Sequence, residues 1–147
     1  MKSVVLFMAM ALVLLCASIY RVKASEKQYT GPDCMVSNGP CVKTVDGLTV
    51  VFDINPKPLK AMRSLLFRTT ISNQGSPVAD ASVSTDLSMP DMFMGQNVIK
   101  LNHLHDGIYE GEGVIIRCPS GKKIWQASVA IHRAGKEWVV NYIFEVP

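Results

Sequence analysis

The stretch that decides the fold is residues 122–146, which read KKIWQASVAIHRAGKEWVVNYIFEV. On both sides of the Ala134-Gly135-Lys136 turn, apolar and polar side chains alternate, as is typical of strands that bury one face. This segment therefore predicts a β-hairpin whose two inward rows supply enough apolar surface for an independent core. The inward positions are Trp125, Ala127, Val129, Ile131, Trp138, Val140, Tyr142 and Phe144.

Outward from this hairpin, the same alternation recurs in short segments that turn residues separate. Asp46-Gly47 is a two-residue hairpin signal, and no helical period lies between the segments. About eight short strands in succession favour a sandwich or barrel, so we predict an all-β, immunoglobulin-like antiparallel β-sandwich. The predicted strands are residues 42–45, 48–54, 64–72, 78–87, 98–105, 108–117, 122–133 and 137–146.

The charge of the chain excludes one class of partner. The 147 residues include 15 lysines and arginines against 12 aspartates and glutamates. Three of those cations, Lys2, Arg21 and Lys23, lie before the first acidic residue, so the remainder of the chain carries 12 of each sign. A balanced domain without a basic run lacks the electrostatic footprint of a nucleic-acid-binding protein.

The first residues resemble a targeting segment. An almost unbroken apolar stretch runs from Val4 to Tyr20, and Val22 and Ala24 satisfy the small-residue cleavage pattern of a secretory signal peptide. We therefore expect residues 1–24 to be a signal peptide, or a membrane anchor that crosses through residues 4–20, with a periplasmic or extracytoplasmic domain. Residues 25–40 would form an N-terminal extension, and residues 41–147 would form the sandwich.

Cysteines support an oxidising compartment. Cys34 and Cys41 flank Ser37-Asn38-Gly39-Pro40, whose turn residues bring the two ends of a short loop together, so a disulfide between them is expected. Cys118 is then left without a partner in the body of the chain. A part-buried loop cysteine is the favoured interpretation of Cys118, ahead of metal ligation.

One loop does not fit a plain core-building role. Residues 88–96 read SMPDMFMGQ and place Met89, Met92 and Met94 within six positions. The strand that follows carries His103 and His105, which two-residue periodicity places on one face. We therefore expect thioethers and imidazoles to converge at one edge of the sandwich.

Copper is the metal that suits such a set of ligands. Thioether sulfur is soft and selects Cu(I), while imidazole also serves Cu(II), so a mixed site holds either oxidation state. The alternative interpretation is that the methionines cap an open end of the sandwich or form an adaptable surface for a partner.

Enzyme classes find little support. The residues give no Ser-His-Asp or Cys-His arrangement, and Gly107, Gly111 and Gly113 lie in a hairpin context that does not suit a phosphate cradle. Glu110 and Glu112 share a face, which is most simply an exposed strand face. We therefore expect a protein that is not an enzyme.

Residues 59–146 resemble the YtkA-like or FixH-like domain family. The resemblance implies an immunoglobulin-like sandwich that bacteria export or tether to a membrane, with roles in copper handling, supply to respiratory oxidases or attachment to efflux components. It also implies that the family's methionine loop falls on Met89, Met92 and Met94, and its histidine near His103. The segments that carry the resemblance are KAMRSLLF (60–67), MPDMFMG (89–95), DGIYEG (106–111) and Trp125.

Two functional hypotheses follow. The preferred one is an exported copper-binding or copper-delivery domain whose ligands are Met89, Met92 and Met94 with His103 and His105. The alternative is a structural interaction module, in which the same apolar loop docks on a membrane-protein partner such as an efflux or respiratory oxidase component.

Overall fold

A computed structural model describes residues 31–90, 92 and 94–147. The predicted signal peptide or anchor lies outside this part of the chain. Within the described residues, no helix is long and apolar enough to cross a membrane, and all regular structure is β. The strands are β1 (Cys41–Val45), β2 (Leu48–Asn55), β3 (Ser64–Asn73), β4 (Ser76–Pro77), β5 (Ser82–Ser88), β6 (Val98–His103), β7 (Ile108–Val114), β8 (Ile124–Arg133) and β9 (Lys136–Glu145).

The strands form two antiparallel sheets that share β6. The full order is β1-β2-β3-β7-β6-β5-β8-β9, with the short β4 paired to β3. Residues 98–101 of β6 pair with β5, whereas residues 102 and 103 pair with β7. Apart from β1 and β4, the order β2-β3-β7-β6 with β5-β8-β9 is that of a constant-type immunoglobulin sandwich. The predicted fold class is therefore confirmed.

The core lies between the sheets and contains the side chains that alternation assigned to it. Phe52 of β2 stacks on Tyr142 of β9 with ring centroids 4.9 Å apart. The Tyr142 hydroxyl donates to the Val50 carbonyl at 2.7 Å, which ties the two sheets together. Of the predicted hairpin rows, all but Trp138 are buried. Partly buried Trp138 donates from its indole Nε1 to Asp46 Oδ2 at 3.2 Å.

The predicted strand bounds need correction around β5. The strand begins at Ser82 and not at residue 78, because the Val78 carbonyl and the Ala81 amide before it form hydrogen bonds with the Tyr109 hydroxyl and not with a neighbouring strand. That hydroxyl donates to the Val78 carbonyl at 2.9 Å and accepts from the Ala81 amide at 3.1 Å. β6 and β7 also end earlier than predicted, at His103 and Val114.

The segment before β1 is part of the sandwich. Cys34 and Cys41 are joined in the disulfide that the sequence leads us to expect. Cys34 and Val36 are buried in the core, and the Cys34 amide donates to the Ile143 carbonyl at 3.0 Å. Residues 33–36, which we expected in an extension, therefore pack against β9.

Two glycines let β7 pass close to β6. A Cβ atom on Gly111 would lie 2.4 Å from the Lys100 carbonyl oxygen, and one on Gly113 would lie 2.2 Å from Ile99 Cδ1. At Gly111 two backbones meet, and only glycine fits so close an approach. At Gly113 the space is filled by the Ile99 side chain, which would have to move to admit a Cβ. The absence of side chains at these two positions lets β7 lie close to β6, the strand that follows the methionine loop.

Candidate metal and binding sites at one end of the sandwich

A tight turn brings two methionines together. The Met92 amide donates to the Met89 carbonyl at 3.2 Å, and the two residues form an antiparallel bridge. Pro90 occupies the second position of this four-residue turn, where its fixed φ is favourable. Residues that face each other in such a bridge have Cα atoms roughly 4.5–5.5 Å apart, so their side chains leave from the same face. The turn therefore assembles two of the predicted sulfur ligands.

The methionines of this turn also pack on the protein. Met89 is 4% exposed and belongs to the core, while Met92 and Met94 are partly buried against it. Thioether side chains fill irregular gaps well, so all three contribute to closing this end of the sandwich. Met92 and Met94 keep part of their surface in solvent, and a ligand can reach them there.

The structure does not bring the predicted histidines to the methionines. In the β5–β6 pair, Val98 opposes Asp86 near the methionine turn, and His103 lies at the far end of β6. Five residue steps at ~3.3 Å separate these ends by about 16 Å, which exceeds the reach of one coordination sphere. The expected convergence of thioethers and imidazoles is therefore corrected: β6 itself holds the two groups apart.

The two histidines do not share a strand face either. β6 ends at His103, and His105 enters a turn in which its carbonyl accepts from the Ile108 amide at 2.8 Å. The His105 ring is exposed and has Nδ1 3.2 Å from Asp106 Oδ2. The ring of His103 packs against Tyr109, with centroids 5.1 Å apart.

Other candidate ligands are dispersed. No group of three or more histidine, cysteine, aspartate or glutamate side chains in the described residues is placed to hold a metal. Glu110 pairs with Arg68 across β3 and β7, and its side chain is only 16% exposed, so the expected exposed strand face holds for Glu112 but not for Glu110. His132 lies on the surface beside Glu137, as expected.

Cys118 is a buried loop cysteine, as the sequence favours. It begins a turn in which the Gly121 amide donates to its carbonyl at 3.0 Å. The Ser120 hydroxyl, 3.0 Å from Sγ, lowers the pKa of the thiol. Since the side chain is only 4% exposed, its contact with solvent is small despite this shift.

Exposed apolar side chains lie at the same end of the sandwich as the methionine turn. The Asn97 side chain, at the end of the loop, donates to the Val114 carbonyl at 3.4 Å, and the Met62 amide donates to the Ile115 carbonyl at 2.8 Å. These contacts bring four exposed side chains to the same end of the sandwich, and we call them the apolar rim. Its members are Met62, Val98, Val114 and Ile116.

A groove of about 600 Å³ opens beside the apolar rim. Buried Trp125, Cys118 and Val146 contribute to its lining, whereas its charged residues are exposed. No aspartate or glutamate lines it, and we call it the basic groove. Its cations are Lys60, Arg63, Arg117, Lys122 and Lys123. Sequence analysis missed this site, because only Lys122 and Lys123 are adjacent in the chain.

Comparisons with known proteins add no family. No family model matches the chain, and no curated protein matches it. Among solved structures, the crystal structure of the GAE domain of GGA2p from Saccharomyces cerevisiae is similar at 14% identity and a TM-score of 0.33. That similarity covers 74% of this chain and 97% of the GAE domain chain. The resemblance to YtkA-like and FixH-like domains therefore stays a prediction.

Proposed function

We propose that this protein is a non-enzymatic, extracytoplasmic copper-binding or copper-delivery domain that holds Cu(I) through the thioethers of Met89, Met92 and Met94. The observation that carries the proposal is the antiparallel pairing of Met89 with Met92 across a tight turn, with Met94 two residues further on. The proposal leaves out His103 and His105, which lie at the opposite end of β6.

The chemistry of the three side chains supports this choice of metal. Thioether sulfur is soft and neutral, so it favours Cu(I) over zinc and over hard cations such as magnesium. No proton has to leave a thioether when the metal binds, and we expect the affinity to change little at mildly acid pH. Partly exposed Met92 and Met94 provide a route by which the ion could pass to a recipient.

The disulfide supports the proposed location. Bonds of this kind persist in oxidising compartments and are rare in the cytosol. The Cys34–Cys41 bond therefore agrees with an exported protein. In such a compartment a thioether site also avoids the vulnerability of exposed thiolates to oxidation.

A Cu(I) titration of the purified protein under reductant, in competition with a colorimetric Cu(I) chelator, tests the proposal. The wild-type protein should bind about one equivalent, and Met89→Leu/Met92→Leu/Met94→Leu should lower the affinity at least about tenfold, because leucine keeps the volume but offers no donor atom. The matched control is Met35→Leu, which removes an exposed thioether outside the apolar rim and should leave the affinity unchanged.

A second comparison separates this site from the mixed one that the sequence suggested. Replacing both His103 and His105 with alanine should change the Cu(I) affinity less than twofold. Equal affinity in the wild-type protein and the triple methionine variant would exclude the proposed ligands. A large loss of Cu(I) affinity in the histidine variant would instead mean that the histidines bind the ion, which would contradict their separation from the methionines along β6.

The apolar rim favours a second candidate function, docking on a membrane-protein partner such as an efflux or respiratory oxidase component. Val98 and Val114 expose 51% and 39% of their surface at the end where the methionines pack. Exposed apolar side chains that lie together are typical of interaction sites. In co-purification with a co-expressed oxidase or efflux subunit, Val98→Asp should abolish capture. Val42→Asp, a change on the outer strand β1, should leave capture intact. The triple leucine variant should also retain capture, because leucine keeps the apolar surface.

A further inference from the structure

We propose that the basic groove binds an acidic peptide segment of a partner protein. This inference is independent of copper, because a groove lined by uncompensated positive charge repels metal cations. It rests on three features of the basic groove: the charge of its five cations, its apolar floor, by which we mean Trp125, Val146 and Ile116, and its concave shape.

The positive charge of the basic groove is not neutralised by any carboxylate among the described residues. Elsewhere in that part of the chain, Lys43, Lys57, Arg68 and Arg133 each form an ion pair with a carboxylate, whereas Lys100 and Lys136 do not. Among the described residues, none of the five groove cations is in such a pair, although the chain after residue 24 has as many acidic as basic residues. Folding has therefore concentrated positive charge at this groove, and no carboxylate in the part of the chain that the structure describes lines it.

The origin of this cluster is in the topology. Lys60 and Arg63 precede β3, Arg117 follows β7, and Lys122 and Lys123 precede β8. Antiparallel pairing of β3 with β7 brings the start of one strand to the end of the other. Two segments that are distant in sequence, residues 60–63 before β3 and residues 117–123 between β7 and β8, thus deliver their cations to the same end of the sandwich.

The floor of the groove distinguishes its ligand from a simple anion. Buried Trp125 and Val146 line the groove together with the cations, and Ile116 of the apolar rim lines it while exposing 40% of its surface. A ligand that fits both the rim and the floor carries carboxylates and at least one apolar side chain. An extended acidic peptide meets this description, since its side chains project in different directions.

The shape of the groove argues against a lipid surface. A volume of about 600 Å³ is in the range of pockets that enclose small ligands or a few peptide side chains. A bilayer presents a flat array of headgroups, which would contact the exposed cations but leave the floor empty. Five separate cations also exceed what one small carboxylate can contact, so a segment with several acidic residues is the better match.

The experiment measures fluorescence anisotropy of a fluorescein-labelled peptide of six residues that alternates glutamate and leucine, with the purified protein as titrant. The glutamine version of the peptide should bind at least about tenfold more weakly, because charge-assisted hydrogen bonds are lost. Lys122→Glu/Lys123→Glu should weaken binding of the acidic peptide by a similar factor. Higher salt should also weaken it, since exposed charges are screened.

A matched variant controls for net charge. Lys100→Glu/Lys136→Glu makes the same change at two exposed lysines outside the groove, and it should alter the affinity less than twofold. Equal losses in both double variants would mean non-specific attraction and would overturn the proposal. All four lysines are exposed, so we expect both double variants to fold. A thermal unfolding midpoint equal to that of the wild-type protein would show that each variant is intact.

Two further outcomes would replace the peptide with another ligand. If citrate alone binds as tightly as the peptide and displaces it, the groove is a site for small multivalent carboxylates. If the peptide does not bind, while phosphatidylglycerol vesicles sediment the wild-type protein but not the groove variant, the site recognises a membrane. Either result would refute a peptide-docking groove without bearing on the copper proposal.

Discussion

Removal of the Cys34–Cys41 bond should lower the free energy of unfolding by about 2.5 kcal/mol. The two cysteines are seven positions apart, so the bond closes a loop of eight residues. In the chain-entropy treatment, closing such a loop restricts the unfolded chain by about 8 cal/mol/K, or about 2.5 kcal/mol at 25 °C. The bond also holds buried Cys34 and Val36 against the sandwich, and its loss exposes this anchor to fraying.

Urea denaturation at neutral pH, followed by tryptophan fluorescence, measures this effect. Cys34→Ala/Cys41→Ala should be less stable than the oxidised wild-type protein by that amount and should not respond to reductant. Adding reductant to the wild-type protein should lower its midpoint towards that of the variant. As a control, Cys118→Ala removes a buried thiol but keeps the bond, so it should remain sensitive to reductant. A wild-type midpoint that does not change with reductant would refute the reasoning.

Two other predictions concern packing and pH. Gly113→Ala should destabilise the protein by about 1–3 kcal/mol, because the new Cβ overlaps Ile99. The added Ile99→Val should recover part of this loss in urea denaturation, and strict additivity of the two changes would contradict the contact. Burial raises the pKa of Tyr142 above 10.0, the ordinary value for a tyrosine. Below pH 10 the side chain is neutral in both the folded and the unfolded protein, and the stabilisation from burying it is fully present. Above that pH only the unfolded tyrosine ionises, and stability should fall by about 1.4 kcal/mol per pH unit relative to Tyr142→Phe; identical pH profiles would exclude this cause.

Strand identity could be predicted because alternation is a local property. In β2 the period of two places Leu48, Val50, Phe52 and Ile54 on one face, and all four are buried. Turn chemistry likewise separated β1 from β2 at Asp46-Gly47. The ends of strands were predicted less well, because a distant side chain sets them. The Tyr109 hydroxyl, for example, satisfies the backbone before β5 and delays the start of that strand.

The methionine loop shows how far such reasoning reaches into the site. The sequence indicated that Met89, Met92 and Met94 are concentrated in one loop, but the turn that pairs the first two was found only in the structure. It also suggested that His103 and His105 join them. Proximity along the chain was misleading there, because an extended strand moves its two ends apart by about 3.3 Å with every residue.

The amino-acid sequence alone determined that this chain forms a β-sandwich and which residues face its core, because both follow from short-range periodicity; it also showed directly that three methionines are concentrated in one loop. Only the tertiary structure decided which of those groups meet. It separated the histidines from the methionines and gathered five cations from two distant segments, because strand pairing, and not sequence distance, determines which side chains become neighbours.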